Sequence, residues 1–175
     1  MKRGPAWLPA AQRYFVVIAI GNLMWEFAQL PLYTLWKTDT VGQITYAVFH
    51  CTAGDVLIAG ITLAGSLLLL GTAEWPRARF FPVAAVTLIS GTGITAYIEH
   101  LSIARGIWAY SDLMPMLPGT SIGLSPLAQW IVIPALAFVI TRSIRPARGL
   151  DLPTMGITTS KLTPDNLAPS DRKSS

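Results

Sequence analysis

The chain has 175 residues, of which 52% are hydrophobic and 13% are charged, whereas about a quarter of the residues in an average soluble domain are charged. Its formal net charge of +4 does not indicate nucleic-acid binding, because the thirteen lysines and arginines stand in short groups that flank long apolar runs. The composition therefore argues against an ordinary soluble domain and against a nucleic-acid-binding protein, and it predicts an integral membrane protein whose main partner is the lipid bilayer.

Four apolar segments are each close to the length that a bilayer span requires, about 20 residues. In chain order they cover residues 14–36, 44–71, 80–100 and 124–141. At the start of the last segment, Ser125 is expected to cap the helix, and Pro126 suits its first turn. The first segment contains Glu26 and lacks a small-x-small cleavage motif, so we interpret it as a retained helix rather than a signal peptide.

Two further segments complete the predicted organisation. Residues 101–123 mix aromatic residues, methionines and prolines, which is too apolar for a freely solvated linker, so we expect them to lie at the outer membrane surface or to fold over the bundle. Residues 146–175 are rich in proline, serine, threonine and charge, which predicts a disordered cytoplasmic tail. The expected fold is all-α, one transmembrane four-helix bundle over residues 1–145.

The basic residues alternate in number from one connection to the next, and this alternation predicts the orientation. Three basic residues precede the first segment (Lys2, Arg3 and Arg13), and one, Lys37, lies between the first and second. Two lie between the second and third (Arg77 and Arg79), and one, Arg105, lies between the third and fourth. Three follow the fourth segment: Arg142, Arg145 and Arg148. Cytoplasmic loops carry the excess of lysine and arginine. Both termini are therefore predicted to be cytoplasmic, in a multi-pass protein of a bacterial inner membrane.

Ionisable side chains within the apolar segments are the first candidates for function, because a charged group inside a bilayer is costly. They are Glu26 in the first segment, His50 and Asp55 in the second, and Glu99 in the third. At about 1.5 Å per residue, Glu26 and Asp55 are both expected roughly 15 Å below the outer ends of their helices. The acidic and imidazole groups should therefore populate the outer half of the bundle.

Helical spacing extends these positions into polar faces. One face of the first segment has Asn22, Glu26, Gln29 and Tyr33, and one face of the third has Thr92, Thr95, Glu99 and Ser102. On the second segment, His50 and Asp55 lie about 140° apart on an ideal helix, so they are not expected to share a face, whereas Cys51 and Thr52 neighbour Asp55. These faces predict a polar pocket between the first three segments that opens toward the outside.

Within this pocket we expect catalytic roles for Glu26, Asp55, His50 and Glu99. Substrate contacts are expected from five other residues: Asn22, Gln29, Tyr33, Trp108 and Tyr110. Buried polar side chains also join membrane helices by hydrogen bonds without any chemistry, and this structural interpretation stays open for every one of them, above all for Asn22 and Gln29.

One short stretch resembles a known family. Residues 97–112, with Glu99-His100 followed by Gly106-Ile107-Trp108-Ala109-Tyr110, are similar to the Glu-His…Gly-x-Tyr-x-Tyr pattern of carotenoid-biosynthesis membrane hydratases. The chain has Trp108 where that pattern has tyrosine, and it is shorter than those proteins. The resemblance implies chemistry on a carotenoid or another isoprenoid. Otherwise the chain resembles small uncharacterised bacterial inner-membrane proteins, which implies no activity.

The leading hypothesis is an intramembrane enzyme that performs acid/base chemistry on an isoprenoid, carotenoid or lipid, without a cofactor. A carboxyl group in apolar surroundings keeps its proton more readily than in water, so one carboxyl group can act as the acid while a second acts as the base. Glu26 and Asp55 form the expected pair, assisted by His50 or Glu99. Isomerisation, cyclisation or hydration of a double bond requires little more than such a pair.

Three alternatives remain open. His50 and His100 could ligate a haem or a metal ion, although their spacing matches no established metal motif. Glu26 and Asp55 could form the relay of a proton-coupled carrier, for which four spans are few unless the protein forms a homo-oligomer. The polar faces could also meet partner helices in a non-catalytic assembly subunit. Phosphate loops, dinucleotide fingerprints, zinc spacings and nucleophile elbows are absent from the sequence.

The predicted orientation can be tested with single cysteines. In a Cys51→Ala background, Asp112→Cys in the outer connection should react with a membrane-impermeant maleimide on spheroplasts, and Glu74→Cys in the inner connection should react only after the membrane is permeabilised. The opposite labelling pattern would contradict cytoplasmic termini.

Overall fold

The computed structural model describes residues 7–143. The predicted tail, and the terminal arginines and lysine that entered the orientation argument (Lys2, Arg3, Arg145 and Arg148), lie outside this range. The described chain forms α1 (Trp7–Gln29), a 3-10 turn (Leu30–Leu32), α2 (Leu35–Thr38), α3 (Val41–Leu70), α4 (Phe80–Ala104) and α5 (Leu124–Ser143).

Four helices are long and apolar enough to cross a membrane: α1 with its 3-10 turn, α3, α4 and α5. Many of their large apolar side chains point away from the bundle, among them Met24, Leu57, Leu68 and Ile89, each more than 60% exposed. Such a surface is compatible with contact to lipid acyl chains. The predicted all-helical fold is confirmed for residues 7–143, with four helices that are long and apolar enough to span a membrane, as a multi-pass membrane protein requires.

The first two spans differ from the predicted bounds, for local reasons. The α1 helix ends at Gln29 rather than near residue 36, because Pro31 has no N–H to continue the helix and the chain tightens into the 3-10 turn. The α3 helix begins at Val41 because Thr40 and Gln43 form a capping box. In it the Thr40 hydroxyl accepts from the Gln43 N–H, and the Gln43 side chain accepts from the Thr40 N–H.

The four long helices form a closed ring in which α1 packs on α3 and α5, and α4 packs on the same two helices. The apolar core occupies one end of this ring, next to the connection 71–79, and includes Tyr14, Leu63, Trp75, Val83 and Phe138. We call this the packed end. The opposite end has the connections 30–40 and 105–123, and we call it the open end.

The two connections of the open end are hydrogen-bonded to each other. The N–H of Thr34 donates to the carbonyl of Ala109 at 2.9 Å, and the N–H of Ser111 donates to the carbonyl of Leu32 at 2.9 Å. The rings of Tyr33 and Tyr110 pack with their centroids 5.4 Å apart. Residues 109–111 are therefore attached to the turn that follows α1.

Helices α4 and α5 approach closely at Gly91. A Cβ atom at this position would lie 2.6 Å from Cε3 of Trp130, which is 2% exposed. At Gly93, two residues further on, a Cβ atom would meet nothing within 4 Å. Gly91 is therefore required for close packing, as small residues often are between membrane helices.

This difference makes Gly91 and Gly93 a matched pair. Gly91→Ala should lower the free energy of unfolding by about 1–3 kcal/mol, because the added methyl group displaces the Trp130 ring from a filled space. Gly93→Ala should leave stability unchanged or raise it by up to about 1 kcal/mol, since alanine is the better helix former. Reversible unfolding in detergent micelles measures both, and equal effects would contradict the close contact.

Candidate functional site

A cleft of about 840 Å³ lies at the open end of the bundle, within the usual size range of small-molecule sites. Side chains from all four long helices and from both connections line it. The polar and aromatic members are Glu26, Gln29, Tyr33, Thr34, Thr38, Asp39, Gln43, Tyr46, His50, Cys51, Asp55, Thr95, Glu99, Trp108, Gln129 and Trp130.

The centre of the polar cluster is the side-chain amide of Gln129 on α5, which is 2% exposed. Its Nε2 atom donates to Asn22 Oδ1 at 2.9 Å, to Glu26 Oε1 at 3.0 Å and to Asp55 Oδ2 at 3.1 Å. An amide nitrogen has two hydrogens, so three acceptors share two donors. The carboxyl groups of α1 and α3 therefore lie side by side against one nitrogen.

Further donors hold each carboxyl group in place. The Trp130 indole N–H donates to Asp55 Oδ1 at 3.0 Å, so both Asp55 oxygens accept a hydrogen bond. Gln29 Nε2 donates to Glu26 Oε1 at 3.0 Å. Among the described residues, the second Glu26 oxygen has no hydrogen-bond partner, which leaves it available to the cleft that Glu26 lines.

Gln29 is itself held by α5. Its Nε2 also donates to Gln129 Oε1 at 3.3 Å, and its Oε1 accepts from the Ser125 hydroxyl at 2.8 Å. Ser125 in turn accepts from the Trp25 indole at 3.2 Å. Ser125 was expected to be the helix cap, but α5 already begins at Leu124, so its hydroxyl lies inside the helix and is used between helices.

The contribution of α5 is what the sequence interpretation missed. The pocket was expected between the first three segments, whereas Gln129 and Trp130 of the fourth segment contact both carboxyl groups. A signal was present: Ser125 and Gln129 are four residues apart, hence on one face, in an otherwise apolar helix.

Glu99 forms a second polar site on the cleft wall. Its Oε2 atom accepts from the Trp108 indole at 3.4 Å and from the Tyr110 hydroxyl, whose oxygen accepts from the Gly123 N–H at 3.2 Å. Burial, together with the Glu99 acceptor, raises the pKa of Tyr110 above its ordinary value, so the phenol stays protonated and donates. The connection 105–123 thereby fixes the orientation of the Glu99 carboxyl group.

The cleft carries an excess of acidic groups. Four carboxyl groups line it, those of Glu26, Asp55, Glu99 and the exposed Asp39, and no lysine or arginine does so among residues 7–143. The one basic side chain on its wall is His50, which is exposed and stacks on Tyr46 with ring centroids 5.5 Å apart. Lysine or arginine side chains of the described residues therefore do not neutralise these carboxyl groups on the cleft wall.

The structure brings most of the predicted site residues together, with three qualifications. Asn22 does not line the cleft and instead bonds to Gln129 and to the Ile18 carbonyl. Tyr110 contacts Glu99 rather than the cleft itself. His50 and Asp55 were not expected to share a face, but both line the cleft, because it covers a broad arc of α3 with His50 at its exposed rim.

The predicted haem or metal ligands are not brought together. His50 lines the cleft, whereas His100 is exposed and is not part of its wall. No group of three or more histidine, cysteine, aspartate or glutamate side chains is placed to hold a metal ion within residues 7–143. Comparisons with protein-family models, with curated proteins and with solved structures give no match. The resemblance of residues 97–112 to carotenoid hydratases therefore stays a prediction.

The central amide can be tested directly. Gln129→Leu keeps the approximate volume but leaves Asn22, Glu26 and Asp55 without a shared donor, so it should lower the free energy of unfolding by about 2–3 kcal/mol. Gln12→Leu, at an exposed position of α1, is the control and should have little effect. A double-mutant cycle with Glu26→Gln should show coupling, and simple additivity would contradict the shared hydrogen bond.

Proposed function

We propose that this protein is a small intramembrane enzyme that performs acid/base chemistry on a lipophilic substrate, with Glu26 and Asp55 as the reacting pair. The observation that carries the proposal is the shared donor: carboxyl groups from two helices accept hydrogen bonds from the same Gln129 nitrogen, on the wall of a cleft. We further propose that the enzyme belongs to a bacterial inner membrane and has both termini in the cytoplasm.

The surroundings of the two carboxyl groups favour different roles for them. Both oxygens of Asp55 accept hydrogen bonds from neutral donors, which stabilises its ionised form. Within residues 7–143, Glu26 has one oxygen without a hydrogen-bond partner, it adjoins a second carboxyl group, and no lysine or arginine lies on the cleft wall. Because two adjacent anions in apolar surroundings are costly, the pair holds one proton, which we assign to Glu26.

This arrangement suits the addition of a proton to a carbon–carbon double bond. Glu26 transfers its proton to one carbon, and the positive charge forms on the other carbon. The Asp55 and Glu99 carboxylates and the faces of nearby aromatic rings such as Tyr33 stabilise that charge. Loss of a proton from a neighbouring carbon to the Glu26 carboxylate completes an isomerisation or a cyclisation. Addition of water followed by loss of its proton completes a hydration.

The remaining polar residues have supporting roles in this proposal. Gln29 and Gln129 fix the position of the Glu26 carboxyl group through hydrogen bonds of 3.0 Å each. Glu99 on α4 accepts hydrogen bonds from Trp108 and Tyr110, and it supplies a second negative charge in addition to that of Asp55 on the neighbouring α3. His50 lies at the exposed rim of the cleft, stacked on Tyr46, where it can contact the part of the substrate that enters last.

Two features favour an enzyme over the alternatives. A proton-coupled carrier needs access from both sides, but buried apolar side chains such as Tyr14, Leu63 and Phe138 fill the packed end. An assembly subunit would turn its polar face to partner helices, yet Asn22, Glu26 and Gln29 all bond to Gln129 of the same chain.

The proposal is tested by lipid extraction and mass spectrometry of cells that express the protein in D₂O. A lipophilic product containing deuterium should accumulate with the wild type and fall by at least about 100-fold with Glu26→Gln or Asp55→Asn, since positioned acid/base groups contribute about 10²–10⁴-fold. Glu74→Gln, exposed in the connection 71–79, should behave as the wild type. Undiminished product from variants that accumulate normally would refute the proposal, and failure of both variants to accumulate would favour a structural role.

A further inference from the structure

The cleft has an excess of carboxyl groups, whose negative charge a positively charged ligand can neutralise. The carboxyl groups of Glu26, Asp55, Glu99 and the exposed Asp39 line it, and no lysine or arginine does so within the described range. Glu26 and Glu99 each have one oxygen without a hydrogen bond to another described residue, although Glu99 is only 7% exposed. Buried carboxyl groups are normally paired with a cation or with hydrogen-bond donors. A ligand with positive charge and N–H donors would supply both.

Thr95 provides a second and independent observation. Three buried threonines of this bundle, Thr52, Thr62 and Thr87, donate their hydroxyl hydrogen to the carbonyl four residues earlier at 2.8 Å. Thr95 lines the cleft one turn before Glu99 and is 8% exposed, yet its hydroxyl, like that of Thr141 outside the cleft, has no hydrogen-bond partner among residues 7–143. Because unpaired buried hydroxyl groups are rare, a polar ligand group is a plain way to satisfy this one.

Part of the cleft wall is exposed on the outer surface of α3 and α4. Tyr46 on α3 and Ile98 on α4 both line the cleft, and they are 70% and 39% exposed. Toward the packed end the same two helices are joined by the hydrogen bond from the Thr87 hydroxyl to the Ser66 hydroxyl at 3.0 Å. An exposed wall on two helices long and apolar enough to span a membrane gives an alkyl chain a route from the bilayer into the cleft.

We infer that the cleft binds a lipophilic primary amine in its protonated form. The ammonium group is placed against Glu99 and Thr95, and its alkyl chain leaves between α3 and α4. This inference rests on the proposed function because it concerns the same cleft. It specifies the substrate class as a lipid with an ammonium head group rather than a neutral hydrocarbon.

The experiment uses the full chain in phosphatidylcholine nanodiscs and titration calorimetry with dodecylamine, dodecyltrimethylammonium and dodecanol, with empty discs as the partition blank. Dodecylamine should bind at least about tenfold more tightly than dodecanol, because a hydrogen bond to a charged group is lost with the alcohol. Glu99→Gln should weaken dodecylamine binding about tenfold, because it removes the carboxylate that pairs with the ammonium group. Equal binding of the amine and the alcohol would overturn the inference.

Thr95→Val tests the head-group contact without removing a charge. It should weaken binding of dodecylamine about tenfold and leave that of dodecyltrimethylammonium unchanged, because only the primary amine has N–H donors. Thr95→Ser should restore binding. The matched control is Thr141→Val, which removes another buried and unpartnered hydroxyl, one that does not line the cleft. Equal effects of the two valine variants would also overturn the inference.

The two proposals can fail separately. Wild-type protein that binds dodecylamine but forms no deuterated lipid product would support the amine site and refute the enzyme. Product formation by a protein that binds dodecylamine no better than dodecanol would support the enzyme and refute the amine site.

Discussion

The side-chain amide of Gln129 is the contact on which the polar half of this bundle depends. It joins α5 to Asn22 and Glu26 on α1 and to Asp55 on α3. In a bilayer no water is available to replace such a donor, so the carboxyl groups can be kept inside the bundle only where a neighbouring helix supplies hydrogen bonds. One neutral residue thereby determines where two ionisable residues can lie.

The rest of the architecture is divided along the bundle axis. At the packed end, Tyr14, Trp75 and Phe138 fill the interior between the helices. At the open end, the same four helices leave a cleft, and the connections 30–40 and 105–123 supply part of its wall. Close packing at one end holds the helices in register, so the other end can leave space for a ligand without losing the fold.

The chemistry proposed for the cleft follows from its neutral hydrogen-bond donors and from the absence of lysine and arginine on its wall within residues 7–143. Neutral donors, namely the Gln129 and Gln29 amides and the Trp130 indole, orient the carboxyl groups without neutralising them. A lysine or arginine in their place would form ion pairs and remove the proton that acid chemistry requires. Acidic groups held by neutral donors suit proton transfer and also suit recognition of a positively charged ligand, which is why the two proposals share a site.

The sequence by itself determined four segments long and apolar enough to span a membrane and the ionisable residues within them, because long apolar runs and rare charges inside them are local properties of the chain. It did not identify Gln129 or Trp130 as neighbours of the carboxyl groups, and it placed Thr95 on a polar face without showing that its hydroxyl is unpaired. Their importance comes from which helix faces them and, for Thr95, from an unpaired hydroxyl. Only the tertiary structure decided that Glu26 and Asp55 meet at one nitrogen, since helix periodicity specifies a face of each helix but not which neighbour that face contacts.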